Sequence, residues 1–283
     1  VAGSGGAPAP MHFTTPGTTE GSGAQFINLG YLTNTRDNNR QAVMDLLNLN
    51  ASLGNVHTEI RKSVNTGLDL NRVYVVGSSL GGILGSVFTT VNQVAIATDT
   101  QVGLTSNLKP IRGLVTSGAG TQVAQVLVNS ATFAPIINGG LANSGVNVGT
   151  TNYERFLYAA QTAMDAGDPV NFIETLATLN VPVLVQQINN DAVIPNSATG
   201  APLVGTKAMA RLLDTTQLGL GSTQLGRGYV KHTAGGHPSL LRPEGGAPQV
   251  TAELQTQVVT FVLNNGKVSV GGAAPGNIDL TTN

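Results

Sequence analysis

The run Arg72-Val73-Tyr74-Val75-Val76-Gly77-Ser78-Ser79-Leu80-Gly81-Gly82-Ile83-Leu84-Gly85 leaves this chain few ways to fold. Val73 to Val76 are β-branched or aromatic, as in a buried strand, and small and apolar residues continue after the serine at helical spacing. The stretch therefore predicts strand, sharp turn and helix. Gly77 and Gly81 flank Ser79 at minus two and plus two, the G-x-S-x-G pattern. In that pattern a strained turn projects the serine hydroxyl, and side chains at the flanking positions would strike neighbouring backbone. Ser79 is the only serine so flanked. With 36 glycines the pattern alone is weak; the strand before it and the helix after it give it weight.

The rest of the chain repeats this alternation. Residues 1–24 are rich in Gly, Pro, Ser and Thr and read as a flexible lead-in. From Asn34 or Thr35, apolar residues at Val43, Leu46, Leu47, Leu53, Val56, Ile60 and Val64 predict a helix that ends near Asn65-Thr66-Gly67. Later strands are expected at Arg112–Thr116, Val181–Ile188 and Gly228–His232, with a last helix over about 248–264. Residues 25–120 and 179–265 thus form the two parts of one α/β core, and 266–283 a carboxyl-terminal tail. The helical stretch 121–178 between them is too long for an ordinary connection and is expected to cap the sheet's carboxyl end. Within it, Asp168-Pro169 reads as a helix cap followed by a first-turn proline. Phe133, Ile136, Ile137, Phe156 and Tyr158 supply its own core or an apolar acyl pocket.

A serine needs an imidazole to take its proton and a carboxylate to orient that imidazole. On α/β scaffolds with this turn, the chain order is serine, acid, histidine. Asp191 follows the Val181–Ile188 strand, at the carboxyl end where such sheets gather their chemistry. Only His232 and His237 come after it. His237 lies in the glycine-rich loop Thr233–Leu241 beyond the last strand and is the expected base, whereas His232 on the strand is structural or at the rim. The Leu80 N–H, one residue past the nucleophile, is one expected donor to an oxyanion.

Composition narrows the partners. Charged residues make up 10% of the chain, against about 25% in an average protein, and the net charge is -1 without a basic cluster. Neither nucleic acid nor an anionic membrane is an expected electrostatic partner. There are no cysteines, hence no disulfides or thiolate chemistry, and no metal-ligand spacing or cofactor motif stands out. No stretch reads as long and apolar enough to span a bilayer, and the start at Val1 is read as the result of processing or trimming.

With these residues in view, the chain from about residue 24 onward resembles bacterial extracellular lipases and lysophospholipases of the α/β-hydrolase superfamily, the virulence-associated lipases of the Pla-1/cef type. The likeness lies in Gln25-Phe26-Ile27-Asn28-Leu29, Thr35-Arg36-Asp37-Asn38, Arg40-Gln41-Ala42-Val43, Val76–Ile83, Asp191 with Val193–Asn196, and His237 with Ser239-Leu240-Leu241. The resemblance implies Ser79 as nucleophile, Asp191 as acid, His237 as base, hydrolysis of ester or lipid substrates, and an extracellular or cell-surface location.

Two departures stand against it. Ser78 occupies a place where such lipases usually carry histidine. Before the elbow there is one helix and no strong strand, so the amino-terminal strands of an α/β-hydrolase, with the His-Gly loop that completes the oxyanion hole, have no counterpart in residues 1–71. The expectation is a carboxyl-terminal portion of a longer hydrolase, its elbow strand an exposed edge that associates with the missing segment or with another copy. The alternative is an inactive hydrolase-like binding module.

Overall fold

The computed structural model describes residues 26–28 and 30–282; the expected lead-in over residues 1–24 lies outside them. The chain runs α1 (Leu32–Ser63), β1 (Val73–Ser78), α2 (Leu80–Gln101), β2 (Ile111–Ser117), α3 (Val123–Asn129), α4 (Ala134–Asn143), α5 (Thr151–Met164), α6 (Ile173–Thr178), β3 (Val183–Ile188), α7 (Gly205–Leu212), β4 (Thr216–Gln217), β5 (Thr223–Leu225), β6 (Arg227–His232), α8 (Pro248–Leu263) and β7 (Lys267–Ser269). Short 3-10 turns occupy Asp165–Gly167, Pro169–Asn171 and Pro275–Asn277.

Five strands make one sheet in the order β1-β2-β3-β6-β4, and every neighbouring pair is parallel. A parallel sheet needs cover on both faces, and the strand residues alternate accordingly. Leu114, Val183 and Val185 join a core with α2, α3, α5, α6 and α7, while Val115, Leu184 and Val230 face Phe261 of α8. Among the described residues β1, with its Val-Tyr-Val-Val run, is an edge of this sheet.

Buried amides tie the helices to the sheet's entry. Asn50 of α1 gives and takes a hydrogen bond with the Lys109 backbone, and Gln93 of α2 accepts from Ile111 N–H. These bonds satisfy peptide groups just before β2 that would otherwise be buried without partners. α1 begins at Leu32, ahead of the expected Asn34 or Thr35. No side chain caps it; Thr35 is instead bonded through Oγ1 to both N–H and C=O of Asn28.

Helices α3 to α5 lie between β2 and β3, and α6 returns to pack on α2 and α7, with Ile173 and Leu176 fully buried. Asp168 caps the turn at Pro169 by accepting from Val170 N–H. In this insertion Ile136 and Tyr158 point outward at 67% and 77% exposure, so they are neither core nor pocket lining. The cavity beside Ile137 and Phe156 measures about 30 Å³, too small for an acyl chain.

Among the described residues α2 alone is long and apolar enough to cross a membrane by length and composition. Half of its most apolar stretch is buried here, against β1, β2, α1 and α6, as befits a core helix. The strands β4, β5 and β7 go beyond the sequence expectations; they are two or three residues long, too short to carry an alternating pattern.

Candidate active site

The elbow has the backbone the glycine pattern predicts. Ser79 sits at φ 55° and ψ −125°, a conformation that is strained for any residue with a Cβ. A Cβ on Gly77 would lie 2.2 Å from Gly81 O, so glycine is required there. Gly81 is different: a Cβ on it would meet nothing within 4 Å, so the expected collision is absent there, and among the described residues β1 has no strand on its outer side. Ser79 N–H donates to Ser117 O at 2.9 Å, which ties the elbow to the end of β2. At the start of α2 the Leu80 and Gly81 amides precede the first intrahelical donors, Gly82 and Ile83, which both bond Ser79 O. Leu80 N–H therefore stands at a helix N-terminus with no hydrogen-bond partner among the described residues, where an anion is favoured.

Asp191 and His237 arrive from the next strands. Past β3, Asn190 adopts φ 59° and its N–H bonds Asn196 Oδ1, while Asn196 Nδ2 donates to Ile188 O. This brace turns Asp191 back over the sheet. Its Oδ1 accepts from Val193 N–H at 2.8 Å and Ile194 N–H at 3.1 Å, and its Oδ2 lies 2.7 Å from His237 Nδ1. The Asp191 side chain is almost wholly buried and that of His237 is 15% exposed, so one end of the imidazole reaches the surface.

The His237 loop follows β6. Gly235 takes φ 103°, and buried Ser239 accepts Gly236 N–H through Oγ while its own N–H donates to Gly236 O. Between the elbow and the acid–histidine pair lies Gly118, at the end of β2. It has φ 57°, and a Cβ there would stand 3.2 Å from Asp191 Oδ2 and 3.3 Å from His237 Nδ1. Gly118 thus packs against both members of the pair, while its neighbour Ser117 accepts the bond from Ser79 N–H.

The segment that follows Gly118 is held at Gln122 and Val123. Asp168, wholly buried, accepts from the amides of Gln122, Val123 and Val170 and from Gln161 Nε2. Burial nonetheless raises its pKa, because these donors do not fully replace lost water. Asn196 and Ser239 fall in stretches that carry the resemblance but are given no role of their own, and the only sign of Gly118 is the Ser117-Gly118-Ala119-Gly120 run after an expected strand.

The remaining histidines do other work. His232 is buried between Gln187 O at Nδ1 and Gln257 Nε2 at Nε2, and burial lowers its pKa to about 4. It is neutral and structural. His57 Nδ1 is paired with Leu68 O, joining α1 to the approach to β1. Among the described residues no group of three or more His, Asp and Glu side chains converges as metal ligands would. No protein-family model and no curated protein matches the chain.

Proposed function

We propose that this site hydrolyses carboxylic esters of lipid-like substrates through an acyl-enzyme, with Ser79 as nucleophile, His237 as base and Asp191 as the acid that orients it. The observation that carries the reading is the 2.7 Å bond between His237 Nδ1 and Asp191 Oδ2, made where β3 and β6 end, beside the elbow of the same parallel sheet. That bond places the ring proton on Nδ1 and leaves Nε2 as the acceptor.

The chemistry follows from that tautomer. Nε2 takes the Ser79 hydroxyl proton as Oγ bonds the ester carbon, and the carbonyl oxygen becomes an oxyanion near Leu80 N–H. Collapse breaks the bond to the alcohol oxygen, which leaves with the proton from Nε2. Water then gives a proton to Nε2 as it attacks the acyl carbon, the bond from that carbon to Ser79 Oγ breaks as Nε2 returns the proton to Oγ, and the acid is released. A second oxyanion donor comes from elsewhere; losing one such donor costs about 2.7–4 kcal/mol of transition-state stabilisation.

The test is intact-mass spectrometry after fluorophosphonate treatment. The expected result is one adduct per chain, abolished in Ser79→Ala. Absence of an adduct on folded protein would overturn the reading for this chain acting alone. Rates on esters of increasing acyl length, with and without a lipid interface, then separate a lipase from a small-ester esterase. The β1 edge, which pairs only with β2 among the described residues, favours one second reading, a binding module or a hydrolase that works only once further strands cover that edge.

A further inference from the structure

Helix α1 turns Thr35, Asn39 and Val43 inward at four-residue steps, and all three are buried. Asn39 thus stands on the face of the helix that suits an apolar side chain. It is 1% exposed, yet neither its Oδ1 nor its Nδ2 has a hydrogen-bond partner. Among the described residues no other side chain leaves both a donor and an acceptor buried and unpartnered. Flipping the amide only exchanges the two atoms. Buried amides are normally bonded, because burial removes the water that would otherwise satisfy them. Thr35 on the same face shows the usual case, with its hydroxyl bonded to Asn28.

Asn39 lines a cavity of about 600 Å³ between α1, α2 and the turns that precede α6. That is room for a small molecule. Val43 and Met44 of α1, Val87 and Val91 of α2 and Phe172 supply apolar walls. The turn at Asp165–Gly167 closes on α1 beside the amide: a Cβ on Gly167 would lie 3.0 Å from Arg36 O and 3.3 Å from Asn39 Cβ. Two charged residues line the cavity, Asp37 and Arg40, and they pair with each other at 3.3 Å. None of the lining belongs to the Ser79, Asp191 and His237 site.

We propose that this cavity binds an uncharged small molecule with an apolar body and a carboxamide or lactam group, held by Asn39. The side-chain amide offers N–H and C=O side by side, so its full complement is a group that does the same. A carboxamide or lactam accepts from Nδ2 and donates to Oδ1 at once. A carboxylate or a ketone only accepts, and leaves Oδ1 buried and unpaired. Arg40, the one cation in the lining, is already paired with Asp37 and exerts little pull on an anion. The inference stands apart from the reaction proposed for Ser79.

The experiment is a titration of the isotope-labelled full chain with benzamide, acetophenone and benzoate, followed by nuclear magnetic resonance. The three probes share ring and size and differ in the polar group. Benzamide is expected to shift the Asn39 side-chain amide signals and the Val43, Val87 and Val91 methyl signals along one saturable curve, in the millimolar range usual for so small a probe. Acetophenone and benzoate bind about tenfold more weakly. Asn39→Leu replaces both unpartnered atoms by methyl groups of similar shape and so keeps the fold. It is expected to bind benzamide about tenfold more weakly and acetophenone at least as well as the wild type does. Met44→Trp, at a position 52% exposed on the rim, fills the mouth and weakens benzamide binding by about the same factor. No saturable shift at Asn39, acetophenone or benzoate binding as tightly as benzamide, or benzamide binding that both variants leave unchanged overturns the proposal. So does a cross-peak between the Asn39 amide and a long-lived water that benzamide does not displace, since that water would be the amide's partner.

Discussion

His237 Nδ1 and Asp191 Oδ2 are 2.7 Å apart, and the other oxygen of the same carboxylate is fixed by two backbone amides. The carboxylate therefore cannot rotate without giving up the Val193 and Ile194 donors. In Asp191→Asn those amides hold the side-chain oxygen in place, so the NH₂ group faces His237 and Nδ1 must become an acceptor. The ring proton moves to Nε2, where it blocks uptake of the Ser79 proton. The expected loss in kcat is about 10⁴-fold, by analogy with the wrong-tautomer effect in serine hydrolysis, with little change in Tm. Ester hydrolysis and the rate of fluorophosphonate labelling measure it; a loss below tenfold would remove Asp191 from the orienting role.

Gly118 carries two constraints at once, a φ of 57° and contact distances to both members of the pair. Gly118→Ala is expected to cost about 1–2 kcal/mol of stability from backbone strain alone. It also pushes Asp191 and His237 apart, so activity falls further than stability. Denaturant unfolding set against turnover separates the two effects; equal and small losses in both would show that the loop yields and the pair is not gauged by this glycine.

The elbow glycines are not equivalent. Gly77→Ala forces a methyl to 2.2 Å from Gly81 O and should destabilise by roughly 3 kcal/mol. Gly81→Ala meets nothing and replaces glycine in the first turn of α2, for a gain of up to about 1 kcal/mol. At Ser79 itself, Ser79→Gly relieves the strain at φ 55° and should exceed Ser79→Ala in stability by about 1 kcal/mol. Urea midpoints of the four variants check the ranking. If the two elbow-glycine variants proved equally harmful, something would have to cover the Gly81 side of the elbow.

These contrasts show what a sequence discloses and what it withholds. The elbow, β3 with its acid loop and β6 with its histidine loop are each local: pattern, turn chemistry and chain order suffice to read them. Gly118 is not local, because its importance comes from Ser117 bonding Ser79 on one side and from Asp191 and His237 on the other. Asn196 acts through a six-residue return to Asn190, in a loop where asparagine is commonplace. β5 and β7 pair over more than 40 residues of chain with three residues each, and no periodicity betrays them. α2 is apolar over a length that could cross a membrane, and its packing against β1, β2, α1 and α6 marks it as a core helix.

The buried His232 gives the fold a defined acid limit. Burial, first among its causes, holds its pKa near 4, against 6.5 for the free side chain; the Gln187 carbonyl and Glu253 only partly offset it. Between these values the unfolded chain takes up a proton that the folded chain refuses, so stability falls as pH drops from 6.5 toward 4 and is fully present above 6.5. The span corresponds to about 3 kcal/mol at most. Glu253 acts in the same direction at lower pH. Burial raises its pKa, but bonds from Gln257 and the amides of Ala273, Gly271 and Ala274 outweigh it and leave the group lowered. Its contribution is present above the unfolded carboxylate value and is lost as pH falls through the folded one. His232→Asn is expected to be less stable at pH 7 yet flatter between pH 6.5 and 4, as read from chemical denaturation at each pH. A variant with the wild-type slope would show that another group sets the acid limit.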